Sequence, residues 1–259
     1  IAVHSYKDLP TAPVEGLTVA AVPRREDPRD VVITRTGGGL ASLPAGARVG
    51  TGSPRRVAQV LALGRGLVCI PIRGNVDTRL RKLAAGEVDA LVLAAAGLRR
   101  LGRAADLGEV LDPDVFLPAP AQGALAVECR TGDHTLVEQL ARLDDEPSRA
   151  AVLAERTLLA TLEAGCSAPV AALASVSASS ATEITLTAAV FAPDGRRALR
   201  RRGTAALSDA AGLGARLAAQ LLADGADRLL EEIARDPGAP PRAQAASGER
   251  TVRAGGVTE

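Results

Sequence analysis

Short apolar runs alternate with segments of helical periodicity over residues 29 to 117, and this alternation limits the fold more than any other feature of the sequence. The runs Leu67–Ile70 and Ala90–Ala94 are mostly apolar and are predicted to be strands, and Arg48–Thr51 is predicted to be a strand that leads into a turn. Strands that alternate with helices are typical of βαβ units. This part of the chain is therefore predicted to form a mainly parallel sheet with helices packed on it.

The two segments between these strands carry helix boundary signals. Ser53 can cap a helix that has Pro54 at its first position and Gly64 just past its end. A second helix is predicted after the next strand, with its own cap, apolar face and stop. These residues are Asn75 as the N-cap, Val76, Leu80 and Leu83 on one face, and Gly86 as the stop.

The pattern changes after residue 117. Residues 118 to 130 are rich in Pro and Ala and then apolar, which predicts a crossing loop followed by a strand. Asp144–Leu162 has helical periodicity and predicts a long helix. Four charged residues are expected on the outer side of that helix: Glu146, Arg149, Glu155 and Arg156.

The last third of the chain predicts a smaller unit of a different kind. From Val170 to Leu207 apolar and polar residues alternate around a turn at Ala192–Gly195, which is typical of an antiparallel meander. A helix is predicted from about Ser208 to Arg235. Residues 237 to 259 are Pro, Gly, Ala and Arg without periodicity, which predicts a disordered tail.

Composition excludes several classes of function. Aromatic residues make up 1% of the chain, so nucleic-acid binding by base stacking is not expected. No apolar run is long enough to span a bilayer, and a secretory signal is not expected. Three cysteines without a CxxC pair predict neither a disulfide framework nor a zinc site, and no metal is expected. A cytoplasmic protein fits these features best.

Arginines cluster at two predicted strand-to-helix junctions, residues 51 to 56 and residues 73 to 79. Helix N-termini attract anions, and the carboxyl ends of neighbouring strands lie at one edge of a sheet. Several planar donors at that edge favour a ligand with more than one carboxylate or phosphate. The simpler interpretation is a solvated arginine face. The arginines concerned are Arg55, Arg56, Arg73 and Arg79.

Residues 3 to 10 place five functional side chains at the end of a short predicted strand. Pro10 favours an extended or turning backbone after Asp8. A carboxylate held beside Lys7 could stabilise a cation or transfer a proton, although a surface turn explains Asp8 as well. His4 is interpreted as a hydrogen-bonded strand residue, because no second metal ligand stands at a useful spacing.

The three cysteines differ in context. Cys69 and Cys129 lie in apolar runs and are predicted to be small core residues. Cys166 lies between Gly165 and Ser167 in a predicted loop after a helix, where a thiol can reach an electrophile. On this evidence alone, Cys166 is a candidate nucleophile or an inert surface thiol.

Taken in order, six segments resemble the porphobilinogen deaminase (hydroxymethylbilane synthase) family. They extend over residues 1 to about 235, so a chance match is not a reasonable explanation. The one departure inside the motifs that concerns a bulky residue is Tyr6, where the family pattern has Met or Leu. The segments are HSYKDLP at 4–10, GTGSPRR at 50–56, IRGNVDTRL at 72–80, AGLRRLG at 96–102, PAQGA at 120–124 and EAGCSAP at 163–169.

The resemblance implies a specific activity. Such enzymes condense four porphobilinogen units head to tail with release of ammonia and then hydrolyse off the linear tetrapyrrole. The resemblance makes Cys166 the thioether attachment point of a dipyrromethane cofactor and Asp8 the catalytic residue, which also binds the cofactor. It further implies that Ser5, Lys7, Thr51, Ser53, Arg55, Arg56, Arg73, Gly74 and Arg79 bind the cofactor, and that Arg73, Arg79, Arg100 and Gln122 bind substrate.

The resemblance also implies an α/β fold with two periplasmic-binding-protein-like lobes and a small α+β C-terminal domain. The chain begins inside a predicted strand, so the first lobe is expected to be truncated at its N-terminus. The expected domains are residues 1–25 with 118–143 (domain 1), 26–117 (domain 2) and 144–236 (domain 3, with the cofactor cysteine), followed by the tail at 237–259.

Two other functions fit parts of the sequence. A non-catalytic, two-lobed anion-binding module explains the α/β pattern and the arginines, but not Cys166 or the appended domain. An inactive, truncated relative is the second alternative. The favoured interpretation is a transferase of tetrapyrrole (haem) biosynthesis that acts as a monomer on small-molecule porphobilinogen, without nucleic-acid or membrane partners.

Overall fold

The computed structural model describes residues 1–164, 168–177 and 180–235, with the backbone alone for 232–235. In these ranges no helix has the length and apolar character needed to cross a membrane. The strands are β1 Ala2–Ser5, β2 Leu17–Ala21, β3 Asp30–Thr34, β4 Arg48–Gly50, β5 Val68–Ile70, β6 Ala90–Ala94, β7 Glu109–Val110, β8 Leu125–Arg130, β9 Val170–Val176, β10 Glu183–Phe191 and β11 Ala198–Ala206. The helices are α1 Pro54–Ala62, α2 Val76–Ala84, α3 Ala95–Arg100, α4 His134–Ala141, α5 Glu146–Thr161, α6 Ala210–Ala223 and α7 Ala226–Arg235.

The first sheet has the order β1-β8-β2, and β8 is antiparallel to both neighbours. The strand predicted within residues 118 to 130 is confirmed as β8. Cys129 on this strand is buried in a cluster with Val127 and Leu140, as predicted for a small core residue. Helix α4, which supplies Leu140, was not predicted; its start is marked by Asp133, whose side chain accepts a hydrogen bond from the backbone N–H of Leu136 at 3.1 Å.

The second sheet has the order β5-β4-β6-β3-β7. Strand β4 is parallel to β5 and β6, whereas β3 is antiparallel to β6 and β7. The prediction of a mainly parallel sheet is therefore wrong for half of the strand pairs. Apolar periodicity locates a strand but not its direction, and β3 enters from the first sheet rather than from a βαβ unit.

The helices that follow β4 and β5 begin and end as predicted, with one correction. Asn75 caps α2 by accepting a hydrogen bond from the backbone N–H of Thr78 at 2.9 Å. Ser53 occupies the N-cap position of α1, but its hydroxyl makes no capping hydrogen bond. Gly64 and Gly86 follow the C-caps of α1 and α2, as expected for stop residues.

Two crossings join the first and second sheets. The chain passes from β2 to β3 through residues 22–29 and returns from β7 to β8 through residues 111–124. Apolar clusters cover both faces of the second sheet, one with Phe116 and Val92 and one with Leu91 and Leu98. The predicted α/β fold class is confirmed, and the crossings bring loops of both sheets together.

The third sheet is the predicted antiparallel meander, in the order β11-β10-β9. Helices α5 and α6 cover it and share a core that includes Leu158, Leu186 and Leu217. The predicted helix from Ser208 to Arg235 is wrong as a single element, because Gly225 adopts φ +94° and separates α6 from α7.

The third sheet also contacts α1 of the second unit. Ala58 of α1 packs with Ala189 and Phe191 of β10 and with Ala171 of β9. The turn at Gly195 lies against the backbone of the same helix, next to Ala58 and Ala62. The antiparallel unit is thereby fixed to the helix that carries Arg55 and Arg56.

Candidate functional site

A buried carboxylate organises the point where the two crossings meet. Asp30, the first residue of β3, is fully buried and lies 2.8 Å from Arg55 Nη2 and 2.7 Å from Arg56 Nη2. Arg55 also donates to the backbone carbonyl of Leu117 at 2.6 Å, and Arg56 to that of Val92 at 3.0 Å. The two arginines therefore hold β3, β6 and the returning crossing together.

Electrostatics favour the charged form of Asp30. Burial acts to raise the pKa of its carboxyl group, but Arg55 and Arg56 outweigh this effect and lower the pKa to about 2. Burial lowers the pKa of Arg55, and Asp30 opposes that shift. Within the described ranges, Arg55 Nε is a buried donor without an acceptor. The alternative of a solvated arginine face is wrong for Arg55 and Arg56, which are 3% and 6% exposed.

Gln122 connects this network to the first sheet. Its Nε2 donates to the carbonyl of Pro28 at 2.7 Å and to Asp30 Oδ1 at 2.9 Å. Its Oε1 accepts from Arg56 Nη2 at 3.4 Å. The tight turn that presents Gln122 contains Ala121 at φ +59° and Gly123 at φ +86°, so the backbone there is held in an uncommon conformation.

Lys7 reaches the same amide from the end of β1. Its Nζ lies 3.5 Å from Gln122 Oε1. Burial, followed by the nearby Arg56 cation, lowers the pKa of Lys7 to about 8. The neighbouring Asp8 side chain is exposed. Residues 7 and 8 thus present a partly buried ammonium group beside an accessible carboxylate.

Three further arginines lie around this network. Arg79 is half-buried on α2, donates from Nε to the carbonyl of Gly74 at 2.8 Å, and has its pKa lowered by burial and by Arg56. Arg100 donates to the carbonyl of Gly123 at 2.6 Å. Arg73 is exposed. Across the described part of the chain, neither Arg73 nor Arg79 forms an ion pair, so their charges are available to an anionic ligand.

The start of α1 contributes two hydroxyl groups. Thr51 is 2% exposed, and its Oγ1 accepts a hydrogen bond from the backbone N–H of Ser53 at 3.2 Å. The Ser53 hydroxyl, which does not cap the helix, lies at the positive end of α1. Thr51 shapes the turn, while Ser53 keeps its hydrogen-bonding capacity.

The structure thus brings most of the predicted site residues to one place. Lys7, Arg56 and Gln122 contact one another directly or through Asp30. Ser5 is half-buried at the end of β1, immediately before this group. Arg73 is exposed and forms no hydrogen bond or ion pair with its side chain among the described residues. Cys166, the predicted cofactor cysteine, lies outside the described residues.

Sequence reasoning missed two acidic residues of this region. Asp30 follows Arg29 directly and begins an apolar strand; a carboxylate at such a position needs a cationic partner, and this was the available signal. Glu155 was expected on the outer side of its helix, which is wrong: it is fully buried and bound to Arg25. Because its partner Arg25 is distant in sequence, helical periodicity alone predicts Glu155 on the charged outer face.

A second basic surface lies on β11, where Arg200, Arg201 and Arg202 line an open pocket with Asp114 and Thr187. Arg200 donates to the carbonyl of Asp114 at 2.6 Å, and Arg201 pairs with Asp224 at 2.6 Å. Two of these arginines are thus already engaged. The region around Lys7 and Arg79 is the stronger candidate for the functional site, because it combines free cations with an accessible carboxylate.

Comparison with known proteins gives matches along most of the chain. A family model described as "Porphobilinogen deaminase, dipyromethane cofactor binding domain" matches residues 1–138, and one described as "Porphobilinogen deaminase, C-terminal domain" matches residues 149–223. Among solved structures, a YaeC-family lipoprotein from Enterococcus faecalis is 16% identical with a TM-score of 0.34, covering 49% of this chain and 62% of its own. An arginine-specific periplasmic binding protein from Salmonella typhimurium is 16% identical with a TM-score of 0.32, covering 49% and 57%.

Curated relatives are much more similar in sequence. Porphobilinogen deaminase of Nocardia farcinica is 55% identical over 92% of this chain and 71% of its own length. That of Mycobacterium tuberculosis H37Rv is 55% identical over 88% and 76%, and that of Mycobacterium leprae is 54% identical over 88% and 75%. The chain belongs to the porphobilinogen deaminase family.

Proposed function

We propose that this chain acts as a hydroxymethylbilane synthase, with the Lys7–Arg56–Gln122 region and the adjacent Arg73 and Arg79 holding the carboxylates of cofactor and substrate. The observation that carries this proposal is the imbalance of charge around the site. Arg73 and Arg79 have no acidic partner among the described residues, and Lys7 is crowded by Arg56. A ligand with several carboxylates would offset these cations.

The donor set fits a dipyrromethane cofactor and porphobilinogen. Each pyrrole unit carries an acetate and a propionate group, so an oligomer accumulates negative charge as it grows. Planar arginine donors bind carboxylates at two points, which fixes orientation as well as charge. Arg73, Arg79 and Arg100 would hold incoming carboxylates, while Arg55 and Arg56, buried against Asp30, would set the local positive potential.

The assigned chemistry needs one accessible acid. Asp8 is exposed beside the partly buried ammonium group of Lys7. We assign to Asp8 the delivery of a proton toward the leaving amine of porphobilinogen and the stabilisation of the resulting pyrrole cation by its carboxylate. Lys7 and Gln122 would orient the pyrrole carboxylates next to it. When bound, dipyrromethane supplies the nucleophilic pyrrole carbon to which each new unit is joined.

The attachment point is proposed to be Cys166. The two cysteines that the structure describes are poor candidates for the attachment point. Cys129 is buried, and burial raises the pKa of the Cys69 thiol to about 11. A high pKa keeps that thiol protonated and unreactive at neutral pH. The resemblance of residues 163–169 to the family motif supports Cys166 as the thioether donor.

Three further assignments belong to the same proposal. The first sheet, the second sheet and the third sheet with α5–α7 correspond to three domains with the boundaries 1–25 plus 118–143, 26–117 and 144–236. The protein is proposed to act as a monomer in the cytoplasm. Cysteine usage without a CxxC pair supports a reducing compartment.

Intact mass under denaturing conditions tests the attachment. We expect an adduct equal to two condensed pyrrole units in the wild type and its loss in Cys166→Ala. Cys69→Ala is the matched control and should keep the adduct. An unmodified wild-type chain that also fails to convert porphobilinogen would identify an anion-binding module or an inactive relative instead.

A further inference from the structure

Among the described residues, Arg156 is the side chain of helix α5 that forms hydrogen bonds to the turn that carries Asp8. Its Nη1 donates to the backbone carbonyls of Tyr6 at 3.1 Å and Leu9 at 2.9 Å, and its Nη2 donates to that of Pro10 at 2.5 Å. The guanidinium carbon also lies 4.4 Å from the centre of the Tyr6 ring, within cation–π range. One cation therefore binds three carbonyl groups and the aromatic ring of a five-residue segment.

Apart from packing of Tyr6 against an apolar cluster that includes Val152 of α5, the turn from Tyr6 to Pro10 has few other supports among the described residues. It is a single 3-10 turn closed by one hydrogen bond, from the Leu9 N–H to the Tyr6 carbonyl at 3.3 Å. The Tyr6 N–H donates to the carbonyl of Ala124 at 3.0 Å, which fixes the start of the turn only. Ser5 at the N-cap position supplies no side-chain hydrogen bond. Downstream of Asp8, the backbone is therefore held mainly by Arg156.

The contacts of Arg156 are those of an orienting group. No carboxylate forms an ion pair with it in the described ranges, so its charge acts on carbonyl oxygens, which carry partial negative charge at the end of the turn. A rigid, planar donor can bind several carbonyls at fixed angles, which a flexible ammonium group cannot. Movement of α5 relative to the first sheet would therefore shift Asp8 directly.

We infer that Arg156, seated on the Tyr6 ring, is a positioning residue that fixes the carboxylate of Asp8 for proton transfer. The inference rests on the proposed catalytic role of Asp8 and extends it to a residue on another unit of the molecule. Arg156 stands ten residues before Cys166 in the sequence. The helix that leads to the proposed cofactor thiol thus also sets the position of the proposed acid.

Steady-state kinetics of the holoprotein test this inference. Arg156→Gln should lower kcat at least about tenfold with KM changed less than about twofold, because misplacing a reacting group raises the barrier without removing a carboxylate contact. Arg149→Gln is the matched control: Arg149 is also on α5 and also donates to a backbone carbonyl of the first unit, that of Ala20 at 3.0 Å. It should keep kcat within about twofold of wild type. Arg156→Lys, which keeps the charge but not the planar donor, should fall between them.

A double-mutant cycle separates positioning from general support of the fold. In an Asp8→Asn background, Arg156→Gln should cause no further loss of kcat, because the group that it positions is gone. The inference is overturned if the two substitutions lower kcat by independent, multiplicative factors. It is also overturned if kcat of Arg156→Gln equals that of Arg149→Gln. If Arg156→Gln does not fold, Arg156→Lys replaces it in the cycle with the same expected non-additivity. Normal turnover in Asp8→Asn alone identifies failure of the proposed role of Asp8, which is a distinct result.

Discussion

Arg25 and Glu155 form a two-point ion pair, with Nη1 2.7 Å from Oε1 and Nη2 3.0 Å from Oε2. Their side chains are 9% and 0% exposed, although 130 residues separate them in the sequence. The same carboxylate accepts hydrogen bonds from the backbone N–H of Ala121 at 2.6 Å and of Ala174 at 2.7 Å. One acid on α5 therefore binds the entry to the second sheet, the turn that presents Gln122, and strand β9.

Removing the charge of Glu155 should destabilise the fold strongly. In Glu155→Gln the buried guanidinium of Arg25 loses its counter-charge, and breaking such a pair from one side costs roughly 3 to 5 kcal/mol. The free energy of unfolding, measured by urea denaturation, checks this value. Arg216→Gln is the control, because it removes one partner of an exposed pair with Asp209, for which less than about 1 kcal/mol is expected. If both substitutions lower the free energy of unfolding equally, Glu155 does not act as the buried counter-charge of Arg25.

Asp8→Asn should nearly abolish turnover while the cofactor stays attached. The amide keeps the size of the side chain but can neither donate an acidic proton nor balance a developing cation. Initial rates of porphobilinogen consumption and intact mass measure the two properties on the same sample. Glu138→Gln changes an exposed carboxylate on α4, away from the site, and should leave the rate unchanged. A near-normal rate in Asp8→Asn would remove Asp8 from its assigned role.

The low pKa of Asp30 predicts a defined pH dependence of stability. The carboxyl group has a pKa of about 2 in the folded state against 3.8 for an unperturbed aspartate, so its contribution to stability is complete above pH 4 and is lost as the pH falls toward 2. Asp30→Asn should therefore lower the free energy of unfolding by a constant amount between pH 5 and 7. Urea unfolding at lower pH should show this difference shrinking below about pH 4. A difference that does not depend on pH would mean that the charge of Asp30 contributes nothing.

The lowered pKa of Lys7 predicts that ligand binding weakens as the pH rises. Its pKa of about 8 means that it begins to lose its proton above neutral pH, and a bound carboxylate would raise that pKa by favouring the charged form. Binding then takes up a proton, so KM for porphobilinogen should rise as the pH increases through 8. Lys7→Met should have a higher KM with a flatter pH profile. Lys82→Met, which changes the other lysine of the chain, should behave as wild type.

Local features of the fold could be predicted from the sequence because their causes are local. The cap at Asn75, the stops at Gly64 and Gly86, and the meander after Val170 each depend on residues within a few positions of one another. Strand direction could not be predicted in this way. Strand β3 runs antiparallel to β6 because of where the chain enters the second sheet, which no local pattern records.

The candidate site shows the same division between local and distant causes. The position of Lys7 beside Asp8 is evident in the sequence, but the contact between Lys7 and Gln122 is not. Arg55 was expected to face a ligand, whereas Asp30 draws it into the interior at a distance of 2.8 Å. Ion pairs between distant segments depend on the folded topology, so sequence reasoning assigned these charges to a ligand or to solvent.

The contact between the Gly195 turn and α1 gives the last prediction. Gly195 has φ +71°, and a Cβ atom there would meet the carbonyl of Ala58 and lie 2.6 Å from the backbone nitrogen of Ala62. Gly195→Ala therefore has both a conformational cost and a steric clash with backbone atoms that cannot move independently of α1. Gly64→Ala is the matched control, because Gly64 has φ +64° and open space around it, so it has the conformational cost alone, roughly 1 to 2 kcal/mol. Thermal or urea unfolding should show a larger loss for Gly195→Ala, and because the clash displaces the helix that carries Arg55 and Arg56, its KM for porphobilinogen should also rise. If the two variants lose the same stability, the antiparallel unit is not held against α1 at this turn.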